Sequence, residues 1–135
     1  MKHAILPVLL IFLSLLAGCA KGDVSHAERI IGQSTVFAEA EIEAALDVAI
    51  AHFKAEFEGC TLLTVEYIEE KSLSAGKSWA ETYGAEEGIV LLSSFQVDEN
   101  GGDGSFNPGD TYRNWQWVLV RSQDGAWELE TWGYG

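Results

Sequence analysis

The sequence predicts an α+β domain in which one long N-terminal helix packs on an antiparallel sheet, in the order α-β-α-β-β-β. Three observations carry this. Apolar residues recur at three- and four-residue steps after Glu39; four later stretches are rich in β-branched and aromatic residues; and Gly, Asn and Asp punctuate the gaps between them. A helix with one apolar stripe and a sheet with one apolar face bury each other as two layers.

The helix starts near Glu39. Ile42, Ala45, Leu46, Ala49, Ile50, Phe53 and Phe57 form its stripe. With Ala38 as the N-cap, Phe37 and Ile42 stand at hydrophobic-staple spacing and Glu41 falls three residues in. Acidic residues load the start (Glu39, Glu41, Glu43, Asp47) and His52 and Lys54 the end, as the helix dipole favours. Gly59 supplies a left-handed stop. Residues 61–68 read as a strand, with Leu63, Val65 and Tyr67 alternating onto one face. A shorter helix is expected over 72–83, on a weak stripe of Ala75, Gly76, Trp79, Ala80 and Tyr83, with Gly84 ending it. Glu86-Glu87-Gly88 reads as a turn. Strands over 89–97, 111–121 and 126–134 complete the set, the last two joined by a hairpin turn at Gln123-Asp124-Gly125.

Ahead of the domain, Met1-Lys2-His3 gives a basic start to an apolar run over 4–16. That run is too short to span a bilayer, which takes roughly 20 residues, and has the length of a signal-peptide core. Leu16-Ala17-Gly18-Cys19 resembles the lipobox of bacterial lipoproteins. The resemblance implies cleavage before Cys19 and lipidation of its thiol, with the chain held at the extracytoplasmic face of the cell membrane. Two acyl chains anchor stably where one does so marginally. The expected organisation is therefore a leader over 1–18, a lipidated N-terminus and tether over 19–36, and a single domain over 37–135.

Cleavage at that point would remove one charge, Lys2, and move the formal net charge from −13 to −14. A chain this acidic repels nucleic acid, so no nucleic-acid partner is expected. With Cys19 lipidated, Cys60 has no partner for a disulfide, and its place between Gly59 and an apolar strand suits a buried, inert thiol. No Cys-x-x-Cys, His-x-x-x-His or Gly-rich phosphate loop is present, so no metal site and no cofactor is expected.

Two features invite a functional reading. The loop over 98–110 is long and rich in oxygen donors: Asp98, Glu99, Asn100, Asp103, Asn107 and Asp110. It fails the EF-hand spacing, since counting from Asp98 puts Gly102 where a ligand belongs and Asp103 where glycine belongs. The second feature is an aromatic set on the last two strands. Trp115, Trp117, Trp132 and Tyr134 are the candidate ligand-binding residues, with Trp127 nearby; the competing reading is a core beneath the helix.

Several stretches together carry a resemblance: Phe57-Glu58-Gly59-Cys60-Thr61-Leu62, residues 101–108, Thr111-Tyr112, Trp115-Gln116-Trp117 and Trp132-Gly133-Tyr134. They resemble a domain of unknown function found in secreted proteins and lipoproteins of Firmicutes, over about residues 37–134. The resemblance implies a nuclear-transport-factor-2-like or cystatin-like cone, in which the helix packs into a curved sheet. Ala38 departs from the Ser or Thr cap expected there. No activity is implied. The leading expectation is a non-enzymatic module that binds a small ligand or an envelope protein. The alternatives are a small enzyme using the cone as a pocket, with Asp110, Tyr112 and Tyr67 as its acid and phenol candidates, or a structural envelope protein.

Overall fold

The computed structural model describes residues 21–123 and 125–134; the expected leader, Cys19 and Asp124 of the expected hairpin turn lie outside the described residues. Seven elements follow one another: β1 (Glu28–Ile31), α1 (Glu39–Glu56), β2 (Cys60–Tyr67), α2 (Glu69–Thr82), β3 (Glu87–Val97), β4 (Thr111–Arg121) and β5 (Glu128–Gly133). The class is α+β, with two helices and one five-stranded sheet in the order β1-β2-β3-β4-β5.

The expected element order and the all-antiparallel sheet both need correction. A strand precedes α1, and it runs parallel to β2, with Glu28 opposite Thr64 and Ile31 opposite Tyr67. The crossover through α1 returns the chain in the same direction, which only a connection of this length allows. The segment expected to be a tether is thus built into the domain over its described length. Lys21 and Gly22 both donate backbone N–H groups to the Lys54 carbonyl at 3.0 Å, and Asp23 exchanges backbone bonds with Cys60 and Leu62.

The expected two layers become three. α1 buries Ile42, Ala45, Leu46, Ala49 and Phe53 in one core with Leu62, Val65, Ile89, Leu91, Phe95, Trp117 and Leu119. Alternate residues of β3 point the other way, and there α2 packs its buried Ser72, Gly76 and Ala80. The approach is close: a Cβ built on Gly88 would lie 2.2 Å from the Gly76 carbonyl oxygen. Ser72 Oγ accepts the Val90 N–H at 3.1 Å, tying helix to strand.

Each antiparallel pair carries a register shift, between Leu62 and Thr64, Ser93 and Phe95, and Val118 and Leu119. An extra residue bends a strand and reverses the parity beyond it. The first shift corrects the expected alternation of β2: Leu62 is buried in place of Leu63, which is exposed. The second, with Asn114 at φ 57, brings Tyr112 onto the face of Trp115, where it stacks on Phe95 at 5.1 Å.

Charged groups pin the N-terminal end of α1. Glu41 accepts the Ala38 N–H at 2.9 Å, supplying half of the capping interaction that alanine cannot complete. Its other oxygen bonds Arg121, which is 8% exposed, lies 4.2 Å over the Trp127 ring and also pairs with Glu87 at 3.3 Å. That hydrogen bond, with the Ala38 N–H second, holds the Glu41 carboxyl below its usual pKa.

Glu69, the first residue of α2, fastens the β1–α1 connection. It accepts bonds from the Ser34 hydroxyl, the Thr35 N–H and hydroxyl, and Tyr67 Oη. The Ser34 bond foremost lowers its pKa from 4.5. A carboxyl with a depressed folded pKa adds stability above its unfolded pKa and loses it as pH falls through the folded value. Glu69→Gln is therefore expected to lower Tm at neutral pH and to shrink the loss of Tm between about pH 5 and about pH 3. Thermal unfolding across that range checks it; an unchanged acid limb contradicts it.

Candidate functional site

The C-terminal turn of α1, the tip of the 98–110 loop and edge strand β5 meet around a cleft of about 330 Å³. Its lining divides by chemistry. Phe57, Phe106 and Trp132 supply aromatic surface, while His52, Glu56, Asp103 and Ser105 supply polar groups. Volume and composition match the lower end of small-molecule sites.

His52 and Glu56 are four residues apart on α1 and so project from one side of its last turns. The His52 ring lies 4.3 Å from Trp132 and 6.0 Å from Trp117. Its Nε2 is buried and has no hydrogen-bond partner among the described residues. Burial lowers the imidazole pKa from 6.5, and the Glu56 carboxylate pulls it partly back, so His52 is predominantly neutral at pH 7.

The loop holds its own shape. Asp98 Oδ1 accepts the N–H groups of Asn100 at 3.0 Å and Gly102 at 2.9 Å. Asp103 Oδ1 accepts the Ser105 N–H at 2.9 Å and its hydroxyl, and the hydroxyl bond is the main cause of a lowered Asp103 pKa. Asp110 accepts the Thr111 N–H at 2.9 Å. These carboxylates are drawn to separate backbone groups, and among the described residues no three His, Cys, Asp or Glu side chains stand together as metal donors. Positive φ at Gly101, Gly102, Gly104 and Gly109 makes the tight path accessible. Phe106 closes it by packing on Phe57 and Phe95, with ring centroids 5.8 and 5.5 Å away.

The four aromatic candidates occupy four different environments. Trp132 is 43% exposed and lines the cleft. Trp117 is 1% exposed, beneath Phe53 and Phe57, with Nε1 donating to Ser93 Oγ at 2.8 Å; it belongs to the core. Trp115 is half-buried in a second row, among Phe57, Phe95 and Phe106. Tyr134, 63% exposed, stacks on Tyr112 and borders a shallow hollow beside Trp79. Of the other lining residues, His52, Glu56, Phe57, Ser105 and Phe106 were assigned to no site by sequence reasoning, and Asp103 was weighed only as an oxygen donor of the loop. The four-residue spacing of His52 and Glu56 was the one local signal.

The other candidates fall apart in space. Tyr67 packs on Phe37 and bonds Glu69, whereas Tyr112 Oη accepts the Asn107 N–H at 3.1 Å in the aromatic cluster under the loop. They form no acid–phenol pair. The Cys60 thiol is 2% exposed, and burial foremost, then Asp98 and Asp103, pushes its pKa up to about 11. A thiol so placed is a poor nucleophile. A larger hollow, about 630 Å³, lies between the β1–α1 connection and the start of α1. Its Ser34 and Thr35 hydroxyls are already bound to Glu69, leaving Glu39 as its one charged side chain among the described residues.

In comparisons with protein-family models, curated proteins and solved structures, nothing matched this chain.

Proposed function

We propose that this chain is a binding module anchored outside the cell membrane, and that the cleft at His52 and Trp132 holds a small ligand. The observation that carries this reading is the meeting of three aromatic side chains with three ionisable ones around one cavity. The packing of α1 across one face of the sheet is in keeping with a nuclear-transport-factor-2-like or cystatin-like plan, to which α2 on the opposite face is an addition; the Firmicutes domain rests on the sequence resemblance alone. Ligands from a small-molecule screen are expected to raise Tm for the native chain and not for Trp132→Ala. Hits that stabilise both equally bind elsewhere and contradict the assignment.

The anchor rests on the resemblance of Leu16-Ala17-Gly18-Cys19 to a lipobox. Because Lys21 is bonded to Lys54, a lipid on Cys19 leaves a reach of only about 7 Å before the folded domain. The domain then rests at the bilayer with the last turn of α1 beside it, instead of floating on a long tether. Cys19→Ser is expected to leave uncut precursor and to abolish acyl labelling; normal lipid labelling of that variant sinks the anchor.

A further inference from the structure

We infer that the cleft is a site for an organic ammonium ion, a compact amine or quaternary ammonium group; the inference rests on the cleft being a binding site. Phe57, Phe106 and Trp132 present aromatic surface to one cavity, and the electron-rich faces of such rings attract cations. Carboxylates stand on two different elements, Glu56 on α1 and Asp103 at the loop tip, so a cation between them is approached from both sides. Among the described residues no Lys or Arg lines the cleft, which disfavours a carboxylate or phosphate.

Neighbouring chemistry narrows the class further. The described residues offer no cluster of metal donors, and the aromatic walls suit an alkylated cation better than a hydrated ion. His52, held neutral by burial, adds no repulsion to a bound cation. The net charge of −13 attracts cations from a distance. Two sources share this chemistry: a free amine, and the amine of a phospholipid headgroup.

The test uses the full chain purified in dodecyl maltoside, titrated calorimetrically with choline and with its neutral isostere 3,3-dimethylbutan-1-ol. Choline is expected to bind roughly tenfold or more tightly than the isostere. Glu56→Gln and Asp103→Asn should each weaken choline several-fold, and Trp132→Ala should remove measurable binding, with thermal unfolding confirming that each variant is folded. Phosphatidylethanolamine doped into the micelles competes with choline if the headgroup is the source; a free amine as ligand leaves choline binding unchanged by the lipid. Equal binding of choline and the isostere overturns the cation inference and leaves the cleft as an apolar binding site. Binding of N-acetylglucosamine in place of choline does the same. If no probe binds, the ammonium inference fails, while the ligand screen with Trp132→Ala still decides whether the cleft binds anything.

Discussion

Trp117→Ala is expected to cost about 3–5 kcal/mol of stability, the range for emptying a large aromatic side chain from a packed core. Its ring is 1% exposed and packs against Phe53 and His52 of α1 and Phe57 just past its end, so the space left is lined by rigid rings and cannot collapse readily. The Ser93 hydroxyl loses its indole donor as well. Trp132→Ala, two strands from the sheet centre and 43% exposed, is expected to stay within about 1 kcal/mol of the native chain. Urea unfolding of the two variants side by side reads the difference. Similar losses for both would mean that Trp132 is a core residue and would remove the main wall of the cleft.

Gly88→Ala is expected to destabilise by about 3 kcal/mol, at the upper end for overpacking. The new Cβ meets the Gly76 carbonyl oxygen at 2.2 Å, its carbon at 3.0 Å and the Ala80 nitrogen at 3.4 Å, all of them backbone. Nothing there can swing aside, so α2 must lift from β3 as a unit. The Val90 N–H bond to Ser72 is the first casualty. Thermal unfolding gives the magnitude, and faster hydrogen exchange at the Val90 amide identifies the displaced contact. Gly76→Ala removes the same approach from the other side, so the double variant should cost less than the sum of the two. Native stability in Gly88→Ala would show that the helix can shift freely.

The elements most legible in the sequence were those whose pattern is local. α1 announced itself through its apolar stripe, the Phe37–Ile42 staple and the glutamates of its first turn; it ends earlier than the expected Gly59 stop, at Glu56 with Phe57 as its C-cap, and Gly59 at φ 73 serves the turn into β2. β4 occupies the expected Thr111–Arg121. β1 was missed because its four residues, Glu-Arg-Ile-Ile, are too few for alternation to register and their pairing partners on β2 lie 36 positions ahead. The start of α2 was placed three residues late: Ile68 offers no capping side chain, and the role of Glu69 is to hold a loop far back in the chain.

Depth in the sheet was the larger difficulty. Trp117 and Trp132 stand opposite each other on adjacent strands, equal in side-chain type. Only the strand order, with β4 internal and β5 at the edge, buries one and exposes the other. Bulges added a second layer of ambiguity, because one extra residue at Asn114 turns Tyr112 toward Trp115 against simple parity. The cleft draws on α1, a loop and β5, segments that touch only after folding. Its acidic groups were visible in the sequence as helix-end and loop residues, with nothing to say that they converge.

The most direct test of the binding cleft is a ligand titration followed through the indole N–H resonances of the native chain. Trp117 and Trp127 have their N–H groups locked to Ser93 and to the Glu41 carbonyl, at 2.8 and 2.9 Å, and should stay in place. Trp132 faces the cavity and should move, with a saturable shift that disappears in Trp132→Ala. A saturable shift confined to Trp79, on the opposite face of the sheet, would contradict the account and place the binding surface beside α2.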